Sequence, residues 1–162
     1  MRPIREGILV GLVGAFALAV WFLIVDLMSG QPFHTPAALG AGLFRGERAV
    51  EAVALPANAS ALVLGYTVFH GAVFIIAGLL LSHITAMLEQ EPAIFLVAFF
   101  ALFVFFEFAY FVYAIAFVQR VMGTISVPSL LAGNLVAGLS MGGFLYWRHP
   151  NLHFKWELKL NA

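Results

Sequence analysis

The chain has 162 residues, 63% of them hydrophobic and 10% charged, with a mean hydropathy of +1.01. That balance lies outside the range of water-soluble domains and predicts an integral membrane protein. Eight basic against eight acidic residues leave no net charge, which excludes a nucleic-acid footprint and a polybasic lipid-binding patch, and the absence of cysteine excludes disulfides, thiolate metal sites, iron–sulfur clusters and cysteine nucleophiles.

Arg2 and Arg5 precede an apolar run from Gly7 to Met28, which is broken only by Asp26 near its end. The run is longer than the roughly 7–15-residue core of a signal peptide and no small-x-small cleavage site follows it, so it predicts a retained first transmembrane helix. Within it Gly7, Gly11, Ala15 and Ala19 fall every fourth residue, the spacing that lets two helix backbones approach closely in lipid. The long connection 29–59 opens with Gly30, Pro32 and Pro36 and later carries Arg45, Glu47, Arg48 and Glu51, too many charges for the bilayer core. Its apolar middle, Ala37 to Phe44, follows a proline and predicts a short helix at the interface or across the mouth of the bundle.

A second span runs over 60–81 and contains Tyr66 and His70. The segment 82–91 reads as a turn, which makes the second and third spans antiparallel neighbours. The third span, 92–118, is rich in phenylalanine and carries one ionisable residue, Glu107, with Tyr110 one turn away. At roughly 1.5 Å per residue it exceeds the roughly 30 Å hydrocarbon core. Pro128 opens a fourth span to Trp147, on which Gly138 and Gly142 repeat the close-packing spacing below Asn134, and Tyr146 and Trp147 form an interfacial aromatic anchor.

The predicted fold is therefore a single all-α membrane domain over residues 1–162, with four transmembrane helices in an antiparallel bundle. Basic residues favour the cytoplasmic side. Arg2, Arg5, Arg148, Lys155 and Lys159 lie on the side of the termini, against Arg45, Arg48 and Arg120 on the other. This predicts both termini inside, an extracytoplasmic loop 29–59, a cytoplasmic tail 148–162 and residence in the bacterial inner membrane. In the tail Leu152, Phe154, Trp156, Leu158 and Leu160 alternate with polar residues, a strand pattern with no partner strand elsewhere. It is expected to dock on a headgroup layer, another protein or a second copy.

Depth along the helices puts His70 and Glu107 at nearly the same level. Each would be costly alone in lipid, so the two are expected to pair, with Tyr66, Tyr110, Asn134 and Asp26 extending a polar cluster through the outer half of the bundle. Such a cluster is either a buried pair that fixes helix packing or a proton or cation site. Haem ligation by His70 and His83 is disfavoured, since 13 residues turn a helix so that the two side chains stand roughly 140° apart. Asp26, His34, His70 and Glu107 have metal-ligand chemistry without a recognised spacing, so no metal or cofactor is assigned. No Gly-x-Ser-x-Gly, His-Glu-x-x-His or phosphate-loop pattern occurs, which argues against an enzyme. The first reading is a non-enzymatic subunit or homo-oligomer of a membrane complex, working with the lipid bilayer and other membrane subunits. The second is a proton or cation transporter using Glu107 and His70, and the third a haem- or metal-binding redox subunit.

Overall fold

A computed structural model describes residues 2–45, 59–88, 100–101, 104, 108 and 126–149. These residues are helical or in turns, and four helices are delimited: α1 (Arg2–Met28), α2 (His34–Arg45), α3 (Ala59–Leu88) and α4 (Val127–Arg148). Three contain segments long and apolar enough to cross a membrane, of 26, 28 and 21 residues in α1, α3 and α4. Of the predicted third span, Phe100, Ala101, Val104 and Phe108 are helical and exposed. Glu107 and Tyr110 lie outside the described residues, as do the tail residues Leu152 to Leu160.

α1 is the central element. Its first half runs beside the last half of α3 and the end of α4, so both neighbours are antiparallel to it. The closest approach is to α3. A Cβ on Gly7 would stand 2.6 Å from the Leu79 Cα, and one on Gly11 2.6 Å from the Ile75 Cα. From the other side, a Cβ on Gly78 would stand 2.8 Å from the Gly11 Cα. Glycine in a helix interior costs about 0.5–1 kcal/mol relative to alanine. Lipid forces every backbone group into an internal hydrogen bond, so the helix persists and the missing side chains become backbone contact. Toward α4, Gly14 faces Met141, and Gly133 faces Leu18 and Trp21. Gly138 and Gly142 are half-buried on α4.

The apolar core has two parts. Leu18, Phe22, Leu39, Leu130 and Ala137 form one, and Val10, Ala77, Leu81, Met141 and Leu145 the other. Phe74 packs against both.

The helices are longer than their apolar runs predict. α1 begins at Arg2 rather than Gly7, with Pro3 in the first turn, where its missing N–H costs nothing. α3 continues to Leu88, through the segment expected to be a turn. The reason is visible in Thr85, whose hydroxyl donates to the Leu81 carbonyl at 2.8 Å, and in Ser82, whose hydroxyl donates to the Pro3 carbonyl at 3.0 Å. With their polar groups satisfied, both residues are fully buried. α2 covers His34–Arg45 and packs across α3, burying Thr35, Ala37, Leu39 and Gly40 to Gly42.

Candidate functional site: a cavity between three helices

α1 ends in a tight reversal. Gly30 takes φ 73, the left-handed position that glycine fills readily after a helix, and the Gln31 N–H donates to the Asp26 carbonyl at 2.9 Å. Phe33 also has a positive φ, 64, which costs a residue with a Cβ about 1–3 kcal/mol and persists only where its surroundings over-determine it. What holds it is the next contact. The Thr35 N–H and hydroxyl donate to the two carboxylate oxygens of Asp26, at 2.8 and 2.6 Å. Asp26 is 3% exposed, and it caps the start of α2 from the end of α1.

Below this cap lies a cavity of about 250 Å³ between α1, α2 and α3. Asp26, Thr35, Tyr66, Thr67 and His70 contribute its polar residues. The remaining wall is apolar and partly aromatic, with Phe16, Phe22, Leu23, Phe33, Leu39 and Val63 among its members. His70 sits at the inner end, its ring 5.7 Å from that of Tyr66 and 4.7 Å from that of Phe74, centroid to centroid. Its Nε2 stands 3.4 Å from the Ala15 carbonyl oxygen, a weak contact that requires the Nε2–H tautomer. The Thr67 hydroxyl donates to the Val63 carbonyl at 2.7 Å.

Of the polar cluster expected from sequence, the fold brings Asp26, Tyr66 and His70 to the same cavity. Asn134 is half-buried on α4 and does not line it. Among the small residues, Ala15 is buried against α3 and supplies the carbonyl facing His70, whereas Ala19 is exposed at the cavity wall. Among the described residues no three His, Asp or Glu side chains gather as a metal site. His83 is exposed on α3.

Sequence reasoning missed a second polar knot at the opposite end of α1. Glu6 Oε1 lies 3.0 Å from His149 Nε2 and 3.8 Å from Arg148 Nε, and the Ser82 hydroxyl approaches its other oxygen at 3.5 Å. Glu6 and His149 keep 13% of their side-chain surface exposed. A third tie, from Trp21 Nε1–H to the Ser129 carbonyl at 2.8 Å, also joins α1 to α4. Thr35 had a readable signal, since Thr-Pro is a helix-start pair. The Glu6 knot had none, because its members lie in three separate segments that read as polar flanks or turn. Compared with protein-family models, curated proteins and solved structures, the chain matches none.

Proposed function

We propose that this is a non-enzymatic membrane protein that works as a subunit or homo-oligomer of a membrane complex, in the bacterial inner membrane with both termini cytoplasmic. The observation that carries this reading is the outward face of α4. Leu131, Leu135 and Leu139 are exposed at four-residue spacing, within about 80° of one another around the helix, and Gly143 follows with open space where a Cβ would stand. A ridge with one notch suits close packing of a second helix, and the aromatic pair Tyr146 and Trp147 sets its depth at the interface. The described polar groups support the same reading, since Asp26, Glu6, Ser82 and Trp21 all serve to tie helices together. The alternating tail is a further contact for the partner. Native mass spectrometry of the protein released from membranes in mild detergent tests this. A species of fixed stoichiometry above the monomer is expected, reduced by deletion of 151–162; a monomer alone, also after cross-linking in the membrane, refutes it.

The cavity favours one second reading, a proton or cation carrier that uses His70 with Glu107. Glu107→Gln should then abolish proton or cation flux in proteoliposomes while leaving the melting temperature close to that of the parent protein. Retained flux rules the role out.

A further inference from the structure

We propose that the cavity between α1, α2 and α3 binds a single-chain amphiphile with an ammonium head, the head beside Asp26 and the chain lying toward His70. The site stands on its own geometry and needs neither a subunit role nor a transport role.

Its length comes from α1. From Asp26 to Ala15, the residue facing His70, is 11 positions, or about 16 Å of helix, close to half of a roughly 30 Å hydrocarbon core. The slot is thus one leaflet deep, the depth of a single chain. Its walls between the ends are Phe22, Leu23, Leu39 and Val63, and the Thr67 hydroxyl among them is spent on the Val63 carbonyl. At the inner end His70 turns its Nε2 to the Ala15 carbonyl and closes the slot with a ring packed at a tilt against those of Tyr66 and Phe74. The rim includes Phe16, which is 71% exposed, together with exposed Val20 and Thr67, so the slot opens sideways on the outer surface of the described helices.

The head is fixed by charge. Asp26 is buried at the outer end, and the described residues lining the cavity include no lysine or arginine. Its carboxylate accepts two bonds from Thr35 and has capacity for more. A buried acid without a full counter-charge in an apolar site attracts a cation and repels an anion, and aromatic residues in the lining, Phe22 and Phe33 among them, suit an ammonium further.

The test uses the full chain in nanodiscs of zwitterionic lipid, with three ten-carbon probes that carry a photoactivatable diazirine in the chain and end in trimethylammonium, hydroxyl or carboxylate. Labelling of α1 and α3 peptides is read by mass spectrometry relative to labelling of α4 peptides, which corrects for partitioning into the bilayer. The ammonium probe should label the slot at least tenfold more than the alcohol, and the carboxylate least. Excess unlabelled decyltrimethylammonium should suppress this in the unmodified protein, while decanoate should not. Asp26→Asn should bring the ammonium probe down to the level of the alcohol, and Val63→Trp, which fills the slot, should remove labelling by all three. Equal labelling by the three heads means a groove filled by any chain and overturns the proposal. So does an ammonium preference that survives Asp26→Asn, or labelling that survives Val63→Trp.

Discussion

Gly11→Ala and Gly71→Ala place the same methyl group on two glycines with opposite surroundings. Both substitutions gain the same helix propensity, about 1 kcal/mol, so their difference isolates the packing. At Gly71 the new Cβ meets nothing within 4 Å, whereas at Gly11 it stands 2.6 Å from the Ile75 Cα and closer still to the Phe74 carbonyl oxygen. Backbone atoms cannot swing aside as a side chain does, so α1 and α3 must separate along their seam. Overpacking of this kind costs about 1–3 kcal/mol. Gly11→Ala should therefore melt below Gly71→Ala by that amount, or by roughly 2–4 °C for each kcal/mol at this chain length. Thermal unfolding in one detergent, followed by circular dichroism or by the loss of the monodisperse peak, measures it. Gly78→Ala should behave like Gly11→Ala, and the double variant should lose less than the sum, since helices already parted make room for the second methyl. If Gly11→Ala melts at or above Gly71→Ala, the seam is not in backbone contact.

Asp26→Ala removes both acceptors of Thr35, which should cost about 1–3 kcal/mol and raise amide exchange over residues 34–45 well above that of α3, read by hydrogen–deuterium exchange; unchanged exchange would mean that α2 holds without its cap. Glu6→Gln and His149→Phe should each destabilise, and a double-mutant cycle should return a coupling of about 0.5–3 kcal/mol, while additive losses would separate the two residues. Reporter fusions after Glu51 and after Lys159 should report opposite sides of the membrane, the former outside, and a shared side would mean that one span is miscounted.

The three long helices were legible because lipid makes apolar length a direct constraint on the chain. Their ends were not. Ser82 and Thr85 read as loop residues because their hydroxyls count as polar in a sequence, whereas in the fold each is returned to a carbonyl, as Ser140 is to Val136 at 2.8 Å. Asp26 stood out in the sequence as an acid within an apolar run, and it was grouped with His70. The two do line one cavity, yet the partner that satisfies Asp26 is Thr35, nine residues onward. That pairing depends on a reversal containing Gly30 at φ 73 and Phe33 at φ 64. The first is what glycine is used for in turns, and the second is a conformation phenylalanine rarely takes, so no local pattern announces it. The Glu6 and His149 contact spans 143 positions, and only the shared antiparallel register of α1 and α4 brings it about.

That register has its own logic, because the two carboxylates of α1 fall near its two ends. Glu6 meets Ser82 and His149 at one end, and Asp26 meets Thr35 at the other, 20 residues or about 30 Å apart, the thickness of the hydrocarbon core. Between them α1 offers mostly glycine, alanine and apolar side chains, and a slide of one turn along α3 would bring Ala15 to the place of Gly11 or Pro3 to that of Gly7, where a Cβ meets backbone. The polar ties oppose it as well. A slide of about 5.4 Å would also part Glu6 from Ser82, so the seam and the knot select the same register. The same spacing sets a condition on the membrane. In a bilayer markedly thinner than the distance between the knots, tilt is one way to fit the span, and a tilt of α1 against α2 and α3 would move Asp26 relative to the start of α2, the contact at the end of the cavity.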